Sequence, residues 1–238
     1  MKRSNRPQNV DQAPLTAVKL PEKRIAIPHE EPTVLLVTIE GTAPLLQNPK
    51  TRTYLEEIKA AGHGGRKSGM SKKGAMNPER EFQERLRPMK QGYGHPTEAF
   101  TGNEGLLVKA LSLVAARKMK LSKDTIKGAV RVIPDEIMHT PEGVRGFVRI
   151  NGRPEPMEHS ASVQSGKVRV PIWIIRPMFR EWSMQLRVEF NPLLVGEEQL
   201  LQLLVRGGAS FGLGAYRREK GGEFGTFKVV SAAMPDVK

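Results

Sequence analysis

Between a leucine-rich segment and a short apolar strand, the chain runs Arg206-Gly-Gly-Ala-Ser-Phe-Gly-Leu-Gly-Ala-Tyr-Arg-Arg-Glu-Lys-Gly-Gly-Glu-Phe-Gly-Thr-Phe227. Seven glycines, four basic residues and four aromatics lie in this run. Glycine loses more conformational freedom on ordering than any other residue, so such a density marks a loop. The loop is expected to use φ > 0 or a close approach of backbone to a ligand. Successive exposed N–H groups in a loop of this kind bind anions such as phosphate. On that reading Gly207, Gly208, Gly212, Gly214, Gly221 and Gly222 form a phosphate-facing backbone. Arg217, Arg218 and Lys220 neutralise the phosphates, and Tyr216 or Phe224 stacks on a base. The plain alternative is a surface turn carrying solvated charges.

The rest of the chain agrees with a polyanion as partner. It has 238 residues and a formal net charge of +13, which is an argument about partners and not about fold. Cysteine is absent, which excludes disulfides, thiolate metal sites and thiol catalysis. No apolar run reaches the length of a membrane span, and residues 1–30 lack the apolar core of a signal peptide. A soluble, cytoplasmic protein is expected.

Residues 1–30 read as a flexible, extended basic arm, and residues 31–238 as a single domain. Thr33 to Glu40 is β-branched and apolar, the pattern of a buried strand. From residue 47 to 98 the core signal fades. Arg66, Lys67, Lys72 and Lys73 stand among Gly62, Gly64, Gly65 and Gly69 with no acid nearby, the composition of a basic insertion that closes over a polyanion. Asn103 to Lys120 reads as a helix with Leu107, Ala110, Leu111 and Val114 inward, followed by a strand from Gly128 to Ile133. Residues 134–166, rich in proline and glycine, are expected to project as a hairpin or loop. Lys167 to Arg176 and Ser183 to Phe190 alternate with period two, as strands with one covered face do. A second helix starts near Glu197, with Leu200, Leu201 and Leu204 as its stripe and Gly207 or Gly208 as its stop.

Without the insertions this order is close to β-α-β-β-α-β. The expected fold class is α+β: a modified RRM-like (ferredoxin-like) antiparallel sheet with two helices and two projecting insertions. With a glycine-rich loop between its second helix and last strand, the chain resembles the RAMP superfamily of CRISPR-associated proteins, whose signature loop Gly207-Gly208 and Gly212 to Gly225 resemble. Its insertions are similar to those of the backbone subunits that polymerise along guide RNA. It is also similar to small phage and prophage proteins that open with Gly-Thr-x-Pro-Leu-Leu, here Gly41 to Leu46. Those close with Gly-x-Gly-x-aromatic-Arg and Gly-Gly-x-Phe-Gly-x-Phe, here Gly212 to Arg217 and Gly221 to Phe227. The architecture of the resemblance spans roughly residues 33–230 and its motifs only the two ends.

No active site emerges. The five histidines show no metal-ligand spacing, and the glycine run lacks the Gly-Lys-Ser/Thr ending of a phosphate-binding P-loop. Asp135 and Glu136 read as a turn pair rather than metal ligands. No cofactor and no catalytic residue are expected. The function expected is sequence-tolerant binding of single-stranded nucleic acid, RNA over DNA. The resemblance adds a homo-oligomer along that strand, in an antiviral CRISPR-like or phage nucleoprotein filament, with other effector subunits as further partners. Two alternatives belong to other classes: a phage structural or assembly protein whose basic surface meets an acidic partner, and a metal-independent ribonuclease using His63 or His95.

Overall fold

A computed structural model describes residues 32–52, 77–97, 119–141, 143–165 and 168–235, together with residues 111 and 114. The basic arm, and the insertion residues Arg66, Lys67, Lys72 and Lys73, lie outside the described residues. Mixed α and β structure, mostly antiparallel, is built from ten strands and three helices among the described residues.

The central sheet follows from the two alternating segments. β1 (Thr33–Gly41) turns Leu35, Val37 and Ile39 inward, and β9 (Ser183–Phe190) turns Met184, Leu186, Val188 and Phe190 inward. They pair antiparallel in matching register, so both apolar sets meet on one face. β4 (Val130–Ile133) adds to the far side of β9, and β10 (Phe227–Ala233) to the far side of β1. The order is β10-β1-β9-β4.

The covered face is closed by α3 (Glu197–Ser210) and by Leu111, Val114 and Ile126, all fully buried. Leu200, Leu203, Leu204, Gly207 and Gly208 recur at helical spacing and form the buried stripe of α3. The helix therefore does not stop at Gly207 or Gly208. A Cβ on Gly208 would collide with the Phe227 carbonyl oxygen, and one on Gly207 would lie 3.2 Å from Leu111 Cδ2. These glycines mark where helix and sheet come closest, not where the helix ends.

Two further expectations are corrected. The strand expected from Gly128 begins only at Val130, because Gly128 and Ala129 close α2 (Lys123–Ala129), a helix that starts at Ser122, whose hydroxyl accepts from Asp124 N. Residues 134–166, expected to project as a hairpin or loop, are paired strands rather than a loop. They supply β5 (Glu136–Thr140), β6 (Gly143–Ile150) and β7 (Pro154–Ser165). β6 pairs with β5 and with β3 (Tyr93–Pro96), whereas β7 pairs along its whole length with β8 (Val168–Phe179). β8 in turn receives the short β2 (Leu45–Leu46), and α1 (Pro78–Arg85) packs against it. The two tryptophans differ in exposure. Trp182 is buried and donates from Nε1 to the Ala43 carbonyl at 2.8 Å, while Trp173 on β8 is 76% exposed.

No described helix is long and apolar enough to cross a membrane.

Candidate functional site

The two motifs singled out at the ends of the sequence are spatial partners. Thr42 N donates to Thr226 O at 2.8 Å, and the two threonine hydroxyls are also 2.8 Å apart. Gly225 N donates to Pro44 O at 2.8 Å and Ala215 N to Leu46 O at 2.7 Å. Gly41 to Leu46 is thus the seat into which the glycine loop is stitched.

Close packing within the loop, and against that seat at Gly214, explains most of the glycines. Gly212, Gly214 and Gly225 have φ near +70°, the region that favours glycine. A Cβ on Gly212 would meet Gly225 O at 2.8 Å, and one on Gly214 would press on Leu46 O. Gly222 lies against the Tyr216 carbonyl. Many loop amides are satisfied internally as well: Gly212, Leu213, Ala215, Gly221, Gly222, Phe224 and Gly225 all donate to backbone carbonyls. The expectation that Gly207, Gly208, Gly212, Gly214 and Gly222 present backbone to a phosphate is corrected accordingly. Their lack of a side chain is taken up by packing. Gly221, in the left-handed region with open space around it, is the exposed glycine of the set.

The basic residues divide in the same way. Arg217 is 2% exposed. Its Nε and Nη2 donate to Glu219 at 3.0 and 2.7 Å, and Nη1 donates to Gly214 O at 3.1 Å. It is a strut of the loop with its charge already neutralised, not a phosphate ligand. Arg218 is exposed and anchored to the Ala209 carbonyl at 3.0 Å. Lys220 is exposed, 3.8 Å from Glu219, and Arg206 is exposed one turn before Ala209 on α3. Arg206, Arg218 and Lys220 make a solvent-facing basic edge beside Tyr216.

Tyr216 links this edge to side chains that the sequence did not flag. It holds φ +48°, unusual for a residue other than glycine, and is 39% exposed. The ring stands edge-on to His159 of β7 at 5.3 Å and lies 5.0 Å from the Arg176 guanidinium of β8. Arg176 is only 5% exposed; the Tyr216 side chain is hydrogen-bonded to it, but among the described residues its Nε has no hydrogen-bond partner. The His159 ring faces the Met157 backbone, and neither of its nitrogens reaches full hydrogen-bond geometry with a described residue. Nearby on α1, Arg85 is ion-paired to Glu81 at 2.8 Å. Burial pushes the His159 pKa below its ordinary value of 6.5, with the Arg176 charge acting the same way. Burial also lowers the Arg176 pKa, opposed by Tyr216.

One signal for this cluster was present in the sequence. In the sequence Val168, Val170, Ile172 and Ile174 alternate with period two, and the next member of that series is Arg176. A charge in register on an apolar stripe marks a buried ion.

Other surfaces are less suited to a polyanion. The open face of the central sheet carries Thr38, Glu40, Gln185, Arg187 and Glu189 and no aromatic side chain among the described residues. Its charges are matched across strands, Lys228 to Glu40 and Arg131 to Glu189, both at 3.1 Å. Beside it an open groove of about 730 Å³ balances Arg153 and Arg180 against Glu40, Glu155 and Glu181. Asp135 accepts from Arg149 N and Arg187, and Glu136 from Lys90 N. His95 is buried in β3 with Nδ1 3.5 Å from Gln47 Nε2. His63 lies outside the described residues.

A comparison of the chain with protein-family models and with curated proteins finds no match.

Proposed function

We propose that the protein binds single-stranded nucleic acid, RNA in preference to DNA, with little regard to sequence. The observation that carries this reading is the exposed basic edge of Arg206, Arg218 and Lys220 beside the half-exposed Tyr216, on a chain with a net charge of +13. Cations that follow a backbone and an aromatic ring that takes a base are the two parts of sequence-tolerant single-strand binding.

The finer fold reading is a modified RRM-like domain of RAMP type. What supports it is the order of the central sheet. Counted along the chain, its strands stand fourth-first-third-second, with α3 between the third and fourth. The stitching of the loop to residues 41–46 supports treating both end motifs as one signature. The open sheet face lacks the aromatic platform on which an RRM stacks bases, so we assign the strand to the loop edge instead. Assembly along the strand as a CRISPR-like or phage filament rests on the resemblance.

The test is binding of a labelled oligouridine across a salt series. The triple variant R206A/R218A/K220A should bind weaker to every sequence, and its log K against log salt should flatten by about 0.7 for each phosphate that is no longer neutralised. An unchanged slope in that variant removes the edge from the interface.

A second reading, a structural or assembly protein, is favoured by one observation. Three large apolar residues on strands of the two smaller sheets are open to solvent: Ile137 at 67%, Val144 at 60% and Trp173 at 76%. Assembly that persists when oligonucleotide binding is absent would favour it.

A further inference from the structure

Arg176 is a buried cation that the described residues leave without an anion. It makes no ion pair among them, and the nearby carboxylate of Glu81 is already engaged by Arg85. An unpaired buried charge is costly, and breaking a buried pair by removing one partner leaves the same deficit. The cost is tolerated when something else supplies the opposite charge. Around the guanidinium stand Arg176 Nε–H, a ring nitrogen of His159 that can donate, and the Tyr216 hydroxyl, which accepts from Arg176 and keeps its own proton to donate. His159 stands opposite Ile174 across the β7–β8 ladder, so it and Arg176 lie diagonally on one face of the hairpin, under the Tyr216 ring.

We propose that Arg176, His159 and Tyr216 form a binding site for a phosphate group, with Tyr216 as its cover. The planar fork of arginine suits a tetrahedral oxyanion, and charge-assisted bonds of this kind are the strong ones. Arg85 adds a second positive charge in the vicinity. The ring of Tyr216 is the exposed member of the cluster, so its movement opens the way to the guanidinium. The site depends on the nucleic-acid reading only for where the phosphate comes from: a backbone phosphodiester or a free phosphate ion.

The experiment uses the full chain with labelled histidine, the His159 ring signals being identified by their loss in H159Q. Inorganic phosphate is titrated at constant ionic strength, and a short oligouridine in a parallel series whose binding is also followed by anisotropy. We expect a saturable movement of the His159 signals, and an affinity about tenfold weaker in R176K, which keeps the charge but not the fork. R176M, neutral and of similar length, should abolish the movement, with melting curves to confirm its fold. Movement with phosphate alone supports the site and removes nucleic acid as its source. Movement with the oligonucleotide assigns the phosphodiester. An oligonucleotide that binds by anisotropy while His159 stays still under both probes overturns the site and leaves the nucleic-acid reading standing. Silence of His159 together with no oligonucleotide binding overturns both.

Discussion

Replacing Gly208 by alanine tests whether the glycines of this protein are packing residues. In the interior of a helix, alanine is favoured over glycine by about 0.8–1.0 kcal/mol, so propensity alone predicts stabilisation. The structure reverses the sign. A Cβ at Gly208 would strike the Phe227 carbonyl oxygen and lie 2.7 and 2.8 Å from ring atoms Cδ2 and Cε2 of the same residue. Ordinary contact begins at 3.4 Å, so α3 must retreat from β10 by at least 0.7 Å, the difference between 3.4 and 2.7. Phe227 cannot give way easily. It is 2% exposed, is paired through β10 to Gly41, and stands edge-on to Trp182 with ring centres 6.4 Å apart. Overpacking costs about 1–3 kcal/mol, and a collision with a backbone carbonyl, which cannot re-orient as a side chain can, takes the upper half of that range, about 2–3 kcal/mol, which outweighs the propensity gain. G208A should therefore lose about 1–2 kcal/mol in urea unfolding, a fall in Tm of about 2–8 °C for a chain of this size. Gly128 is the control. It lies in α2, is exposed, and a Cβ there meets nothing within 4 Å among the described residues, so G128A should gain about 0.5–1 kcal/mol. Gly207, whose added Cβ comes closest to the tip of Leu111, should fall between them. A G208A protein as stable as the parent would refute the reasoning, because the close approach of α3 to β10 would then carry no energetic weight.

The remaining predictions separate the loop's internal struts from its surface. E219Q strands the buried Arg217 and should cost about 3 kcal/mol in urea unfolding, whereas R218A, at an exposed site, should stay within about 0.5 kcal/mol of the parent. His159 has a lowered pKa in the folded chain, so its contribution is fully present above pH 6.5 and is lost as the pH falls from there toward the folded pKa. Urea midpoints measured from about pH 7.5 down to 5 should show this loss in the parent and a shallower one in H159Q. W173A should leave stability unchanged within about 0.5 kcal/mol, given the exposure of the ring, and a larger loss in melting would mean that the residue is covered in solution.

How much of the fold was legible in the sequence depends on whether a residue's role was set by its neighbours along the chain. The alternation of Ser183 to Phe190 and the β-branched run from Thr33 mark the central strands correctly, because period two and burial are local patterns. The start of α3 was legible from Glu197 and Glu198 in its first turn. Its end was not, since Gly207 and Gly208 follow the local rule for a stop while obeying a tertiary demand from Phe227. β7 was hidden by Pro154 and Pro156. Proline argues against a central strand, but β7 is an edge of its sheet, where a missing N–H is tolerated.

The site was legible in part, and the misreading was systematic. Net charge and glycine density are sums over side chains, and neither says which cations are already neutralised. A sum of charges credits Arg217 to a phosphate although its partner, Glu219, stands two residues on. It passes over Arg176, because a lone arginine in an apolar strand adds nothing to a cluster. Burial exchanges their weights. Arg217, enclosed with a carboxylate, has no charge left for a ligand, and Arg176, enclosed without one among the described residues, keeps its whole charge. The residue that connects them is Tyr216, whose positive φ turns its ring out of the glycine loop and over the β7–β8 hairpin. If a phosphate reaches Arg176, Tyr216 must respond to it, and so must the loop that carries Arg218 and Lys220. The basic edge and the buried arginine would then report the same binding event.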